Sequence, residues 1–312
     1  MTVHRSEDPA PGGGERRRER SFTAFGGRVP APPLAPGLHV VATPIGNLGD
    51  ISLRALAVLA GADAVLAEDT RVSRVLLQHY GIDAPLLPYH EHNAAAMRPQ
   101  LMARLARGEA LALVSDAGTP LVSDPGYKLV LDAVAAGAGV TAVPGASAVM
   151  AALVLGGLPT DRFFFEGFLP ERSGARRTRL ADLAAVPGTL VFFESARRLA
   201  DGLADIAAVL GPRPAAVARE LTKRFEEVRR GTAPELAAHY AAEGAPRGEC
   251  VVLVARPDAA PAPGPEDLDA RLGLALETLS VKDAAAVVAG ETGLPRREVY
   301  GRALALAARR PR

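Results

Sequence analysis

The residues best suited to chemistry sit in a glycine-containing turn, VSDAGTPLVSDPG, from Val114 to Gly126. It follows the apolar run Ala110–Leu113 and precedes the helical stretch YKLVLDAVAA. A turn with glycine lets main-chain groups approach a ligand closely, because no Cβ intervenes. A P-loop would need a terminal Lys-Ser/Thr to reach phosphates, and here no Lys or Arg precedes Lys128. Asp116 and Asp124 would instead repel a pyrophosphate. In a second turn, TPIGNLGD (Thr43–Asp50), Gly46 and Gly49 are misplaced for the Gly-x-Gly-x-x-Gly dinucleotide pattern. Three more polar segments also end apolar runs: EDTR (Glu68–Arg71), HEHN (His90–Asn93) and PGAS (Pro144–Ser147). Acids and hydroxyls can accept hydrogen bonds from an amine and a ribose. The set therefore fits S-adenosylmethionine, a cationic adenosyl ligand without phosphate, better than a nucleotide. HEHN lacks the third ligand that a catalytic zinc takes; it reads as a substrate-facing loop, and no metal site is expected. AEDTR reads as a strand-end ion-pair network, with Asp69 and Arg71 in a structural role, or else as part of the cofactor rim.

Elements that alternate between strand and helix must hold these turns. Apolar runs predict strands at Leu38–Thr43, Ala64–Ala67, Pro85–Tyr89, Ala110–Ser115 and Val140–Val143. Helical patterns lie between them, near 51–60, 72–80, 94–107 and 126–136. Alternation of this kind implies a parallel sheet covered on both faces. Ligands then gather beyond the carboxyl ends of its strands, where all five polar segments fall. This first α/β domain spans 37–155. A second α/β domain, 156–256, has a more mixed strand pattern, with helices at Arg176–Ala185 and Ala196–Leu210. Residues 1–36, rich in Pro, Gly and Arg, read as a disordered tail. PDAAPAPGPEDLD reads as a linker, 257–270, and 271–312 as a helical hairpin broken at Thr292–Pro295. That hairpin is read equally well as a basic helix-turn-helix or as a cap on the core.

Composition narrows the class. The 312 residues are 48% hydrophobic and 23% charged, as in a globular protein. No apolar stretch reaches the ~20 residues of a membrane helix, and the first 20 residues lack the apolar core of a signal peptide. A cytoplasmic location is expected. The single cysteine, Cys250, excludes a disulfide framework and reads as a buried small hydrophobe in GECVVLVAR. Net charge is only +1, but arginines cluster at Arg16–Arg18, at Arg172–Arg179, at Arg219–Arg230 and from Arg296 onward. That distribution suits a local nucleic-acid footprint.

Taken in order, VATPIGNLGDISLRAL, AEDTR, LVSDAGTPLVSDPGYKLV, VPGASA, GLPTDRFFFEGFLP, FFES and ARELTK resemble the ribosomal RNA small subunit methyltransferase I family of the tetrapyrrole methylase superfamily. The resemblance covers roughly Gly37 to Arg256 and weakens through the C-terminal hairpin. It implies two α/β domains with S-adenosylmethionine folded in the cleft between them, and a homodimer. It also implies 2′-O-methylation of a cytidine in 16S ribosomal RNA of the small subunit, near the decoding region. By motif, the cofactor-binding positions fall on Pro44, Ala117, Gly118, Thr119, Val122, Ser147, Ala148, Glu194, Gly248 and Glu249. Two positions depart from the superfamily: Thr119 stands at its usual aspartate, and Glu194 where many relatives carry Met.

A ribose hydroxyl is a poor nucleophile until a base takes its proton. Candidates are Glu194, Asp116 and Lys223, the last on condition that burial lowers its pKa. Arg219, Lys223, Arg224, Arg229 and Arg230 are the candidate RNA contacts, since arginine pairs with phosphate through a planar fork. Two other classes compete: a relative acting on a tetrapyrrole or a protein side chain, and a binding protein without turnover. TPIGNLGD, SDAGTP and ELTK resemble the RNA-modifying branch.

Overall fold

A computed structural model describes residues 20–122, 126–257 and 265–308. Its first sheet contains β3 (Gly37–Val41), β4 (Ala64–Ala67), β5 (Leu86–Pro88), β6 (Ala110–Val114) and β7 (Val140–Val143). All pairings are parallel, in the order β5-β4-β6-β3-β7. The period of two in strand side chains divides its core into two layers. Ala112 and Val114 pack with α1 (Leu53–Gly61) and α2 (Thr70–His79) on one face. Leu111 and Leu113 pack with α3 (Glu91–Ala106) and α4 (Tyr127–Ala135) on the other. Both faces are therefore covered along the central strands β3, β4 and β6, which are buried throughout, while the edge strands β5 and β7 stay partly exposed.

The second sheet has β8 (Phe163–Phe168), β9 (Thr189–Ser195), β10 (Pro214–Arg219), β11 (Glu227–Thr232) and β12 (Glu249–Val254), in the order β11-β10-β12-β9-β8. Only β8 and β9 run parallel; the other pairs are antiparallel. The helices α6 (Ser173–Leu183), α7 (Leu199–Leu210) and α8 (Ala233–Glu243) bury Leu180, Leu203 and Leu236 against one face. The opposite face is covered by α5 (Ala148–Gly156), whose Val149, Ala152 and Leu153 pack on Val191, Ala216 and Leu253. A Cβ on Gly156 would come within 2.9 Å of Leu253 Cδ1, so glycine lets the helix end close to the sheet. The boundary expected at 155 thus follows a helix that packs with the second sheet, although it leads out of the first.

Three expectations need correction. Within the supposed tail 1–36, β1 (Ser21–Ala24) and β2 (Gly27–Pro30) form an antiparallel hairpin. It is anchored by the buried Phe22, by the Thr23 N–H donating to the Tyr80 carbonyl at 2.7 Å, and by the Arg20–Asp63 ion pair at 2.7 Å. Residues 1–19 lie outside the described residues. Next, the linker expected over 257–270 gives way to a helix, α9 (Pro265–Ala275). Finally, the expected hairpin is present as α10 (Val281–Thr292) and α11 (Arg296–Ala307), but α9 joins it as a third helix, packing around Leu272, Val288 and Val299. The break falls at Gly293, left-handed at φ 70°, followed by Pro295 at the start of α11. No helix among the described residues is long and apolar enough to cross a membrane.

Candidate functional site

Between the two sheets opens a cleft of about 870 Å³. One wall comes from the turns after β3, β6 and β7: Ile45, Ala117, Gly118, Thr119, Val122, Ser147 and Ala148. The facing wall comes from the second sheet and includes Phe168, Phe193, Glu194, Ser195, Leu221, Lys223, Gly248 and Glu249. Among the described residues, the first wall bears no charged side chain and the second carries the charges of the cleft.

Hydrogen bonds between turns build the first wall. Thr43 and Gly118 exchange both backbone hydrogen bonds, at 2.9 and 3.0 Å, and the Thr43 hydroxyl donates to the Ser115 carbonyl at 3.2 Å. Gly118 is buried and left-handed (φ 79°), and a Cβ there would approach Ile45 Cγ2 to 3.3 Å. Three residues on, Leu121 is left-handed as well (φ 75°), a conformation costly for a side chain with a Cβ. The Thr119 hydroxyl donates to the Ala146 carbonyl at 3.3 Å, tying in the turn after β7. Ser147 caps α5 by accepting from the Met150 N–H at 3.4 Å. Pro44 lies in this assembly, although its neighbour Ile45 is the residue that faces the cleft.

The five strand ends do not converge. Strand order sets β4 and β5 toward the far edge of the sheet, and EDTR and HEHN are absent from the cleft lining. EDTR instead moors the opening turn from behind. Asp116 does not line the cleft; its Oδ1 accepts from the Asp69 N–H at 2.9 Å. Asp69 caps α2 by accepting from the Arg71 N–H at 2.8 Å. Hydrogen bonds from the Arg71 guanidinium, 2.6 Å away, help hold the Asp69 pKa at about 2. HEHN caps α3, the Asn93 Oδ1 accepting from the His90 N–H at 2.9 Å. No group of three or more potential metal ligands occurs among the described residues. Asp124 lies outside them.

Opposite charges already engage the acid and base candidates on the second wall. Glu194 is 4% exposed and accepts from the Ser195 N–H and from Arg198 Nε, each at 2.8 Å. Lys223 Nζ lies 2.9 Å from Glu220 Oε1 and 3.1 Å from Glu249 Oε2. Burial pulls the Lys223 pKa down, but hydrogen bonds to the two carboxylates outweigh it and leave the pKa raised. The condition for Lys223 to act as a base is therefore not met. Its stem crosses to the first wall, where a Cβ on Gly46 would meet Lys223 Cγ at 2.5 Å. Two non-glycine residues beside it, Glu220 (φ 51°) and Thr222 (φ 64°), are left-handed, and strain of this kind gathers at functional sites.

Of the five candidate RNA contacts, only Lys223 lines the cleft. Arg219 and Arg229 pair with Glu227 at 2.6 and 3.2 Å, Arg230 donates to the Leu155 carbonyl, and Arg224 lies 5.5 Å over the Phe225 ring. Cys250 is buried, and desolvation pushes its thiol up to about 11. Sequence reasoning missed Ile45, Phe168, Phe193, Arg197 and Arg247 in the lining. The signal that finds the two arginines is strand register, because β9 pairs with β12 at Ser195 and Glu249.

Comparison with known proteins agrees with this architecture. Residues 37–237 match the family described as tetrapyrrole (corrin/porphyrin) methylases, and residues 262–307 match the RsmI C-terminal HTH domain. A ribosomal RNA small subunit methyltransferase I from Mesorhizobium japonicum is 54% identical, covering 89% of this chain and 95% of its own. The protein of the same name from Escherichia coli O157:H7 is 46% identical, covering 86% and 94%. Among solved structures, the cobalt precorrin-4 methyltransferase of cobalamin biosynthesis superposes with TM-score 0.52 at 21% identity, covering 70% of this chain and 94% of that one. A uroporphyrin-III C-methyltransferase from Thermus thermophilus, complexed with S-adenosyl homocysteine, gives 0.50 at 21% identity, covering 70% and 96%. Likenesses this remote establish the tetrapyrrole methylase-like α/β fold, and the sequence matches establish the family: the chain belongs to the ribosomal RNA small subunit methyltransferases I.

Proposed function

We propose that this protein transfers the methyl group of S-adenosylmethionine to the ribose 2′-oxygen of a cytidine in 16S ribosomal RNA, near the decoding region. The observation that carries the reading is the uncharged turn Ala117-Gly118-Thr119, tied to the turns after β3 and β7 and facing Gly248-Glu249 across the cleft. The names of its relatives supply the substrate class, and a solved neighbour complexed with S-adenosyl homocysteine supports the methyl donor. The donor set fits this cofactor: close main-chain approach at Gly118, the Ser147 hydroxyl, and, among the described residues, no cation on the first wall to demand a phosphate. Ala117, Thr119, Val122, Ser147, Ala148, Gly248 and Glu249 would line it, with Pro44 fixing the turn behind Ile45.

When bound, the cofactor supplies an electrophilic methyl group on its sulfonium. The chain supplies alignment and exclusion of water, which favourable systems convert into an effective molarity of about 10⁵–10⁸ M. Glu194 and Lys223 take positioning roles here. Glu194 fixes Arg198 at the start of α7, and Lys223 bridges Glu220 and Glu249 beside Gly46. Asp116 holds the opening turn against Asp69.

The homodimer belongs to the same reading. Leu131 and Val134 on α4, Met150 and Val154 on α5, and Phe163 and Phe164 on the edge strand β8 are exposed apolar side chains that the monomer leaves uncovered. Sedimentation at micromolar concentration should give a dimer, and Val154→Asp should weaken it; a monomeric wild-type chain would refute it. For the activity itself, the protein is incubated with methyl-labelled cofactor and small subunits, or naked 16S RNA, from a strain lacking the modification. Label is expected in the 16S RNA. Label confined to ribosomal protein, or no incorporation from either substrate, would overturn the proposal.

A further inference from the structure

Three cations line the cleft among the described residues: Arg197, Lys223 and Arg247. Lys223 is neutralised by Glu220 and Glu249. Neither Arg197 nor Arg247 has a carboxylate partner among the described residues, and both are exposed. Their placement follows from strand register. Ser195 and Glu249 are direct partners across β9 and β12. Arg197 lies two residues beyond the first and Arg247 two residues before the second, so both leave the same end of the sheet. Neighbouring strands run only ~4.8 Å apart, which sets the two side chains on adjacent loops at one rim.

The surroundings leave both guanidiniums available. Arg198, next to Arg197, is committed to the buried Glu194 at 2.8 Å. On the other loop, Arg219 Nη1 donates to the Arg247 carbonyl at 3.4 Å, fixing the backbone while the Arg247 side chain stays unpaired. On the same wall, Phe168 is 59% exposed and meets Phe193 edge to face at 5.6 Å. An exposed aromatic face beside unpaired arginines is the combination that single-stranded RNA uses: bases stack and phosphates pair. Two free guanidiniums also exceed what the single carboxylate of a methionine-derived cofactor requires.

We propose that Arg197 and Arg247 form a phosphate clamp at the rim of the cleft, gripping the RNA backbone on either side of the nucleotide presented for methylation. The clamp rests on the RNA-methyltransferase reading and relocates the RNA contacts from the paired Arg219–Arg230 cluster to the cleft itself. Each arginine offers its planar fork to a phosphate, a geometry that lysine cannot match.

The test uses the full chain carrying Arg197→Gln and Arg247→Gln together. Binding to 16S RNA and to small subunits from an unmodified strain is measured across a salt series. Each lost phosphate contact should flatten the slope of log K against log salt by about 0.7–0.9. The double variant is therefore expected to lose about 1.4–1.8 of slope, with S-adenosylmethionine affinity unchanged. Replacing both by lysine should retain the slope while weakening binding. Arg74→Gln, exposed on α2 and outside the cleft, should alter neither. If the double variant melts lower than wild type, the two single variants carry the test, each flattening the slope by about 0.7–0.9. An unchanged slope overturns the clamp, as does a loss of cofactor affinity in place of RNA affinity. A wild-type chain that methylates no small-subunit RNA refutes the substrate reading. An active wild type beside an unaffected variant refutes the clamp alone.

Discussion

The two walls of the cleft are built from different materials. The first offers main chain: three turns laced together by backbone and hydroxyl hydrogen bonds, with no charged side chain in the lining among the described residues. The second offers side chains: a buried Glu194 held by the partly exposed Arg198, Lys223 between two carboxylates, and two arginines at the rim. A cofactor held by turns needs a shape that hardly varies. A polyanionic substrate needs charge that reaches outward. On the proposed function, the first wall would supply most contacts to the methyl donor and the rim of the second would meet the methyl acceptor.

The strongest attack on the second wall is Arg198→Ala, which strands the buried Glu194 carboxylate. Loss of one partner from a buried pair costs about 3 kcal/mol or more, with Arg198 itself only partly exposed. Thermal melting should show the loss, and methyl transfer should fall with it; an unchanged melting temperature would mean that the pair does not hold this wall. On the first wall, Gly118→Val forces a β-branched residue into a left-handed conformation, a strain of about 1–3 kcal/mol. The free turn relieves that strain by leaving the left-handed conformation, which binding must restore. Calorimetry should therefore find cofactor affinity lowered by up to the corresponding factor, about 5- to 150-fold, with RNA binding largely intact. Equal losses on both ligands would erase the distinction between the walls.

The smallest effect concerns the mooring behind the first wall. Asp69 is held at about 2, first by its side-chain hydrogen bonds from Arg71. A depressed carboxyl pKa contributes stability that is complete above the unfolded value of about 3.9 and is lost as pH falls through the folded value. The α2 cap, in which the Asp69 carboxylate accepts from the Arg71 N–H, should therefore survive at pH 4 and fail toward pH 2. A carboxyl titration by NMR with its midpoint near 4 would show that Arg71 does not hold Asp69.

Much of this was legible in the sequence. Apolar runs located the strands of the first sheet to within a residue or two, the signal being strongest for β3, β4 and β6, which are buried throughout. Turn residues at 43–50, 114–122 and 144–148 marked the first wall. Strand order was not legible: nothing local tells EDTR, which faces away from the cleft, from SDAGTP, which lines it. The β1–β2 hairpin was hidden because Phe22 alone supplies its main hydrophobic anchor amid Gly, Pro and Arg. In α9, the proline-rich approach masked a helix that starts at Pro265, a residue tolerated in the first turn. Arg197 and Arg247 stand in the unremarkable strings SARR and PRG, and only the pairing of Ser195 with Glu249 brings them together.

The most direct test of the assigned chemistry is nucleoside mass spectrometry of 16S RNA after reaction with the protein and S-adenosylmethionine. The expected product is a cytidine carrying one added methyl on its ribose, absent when the cofactor is omitted. A methyl found only on a base, or no methylated nucleoside from either naked RNA or assembled subunits, would contradict the assignment.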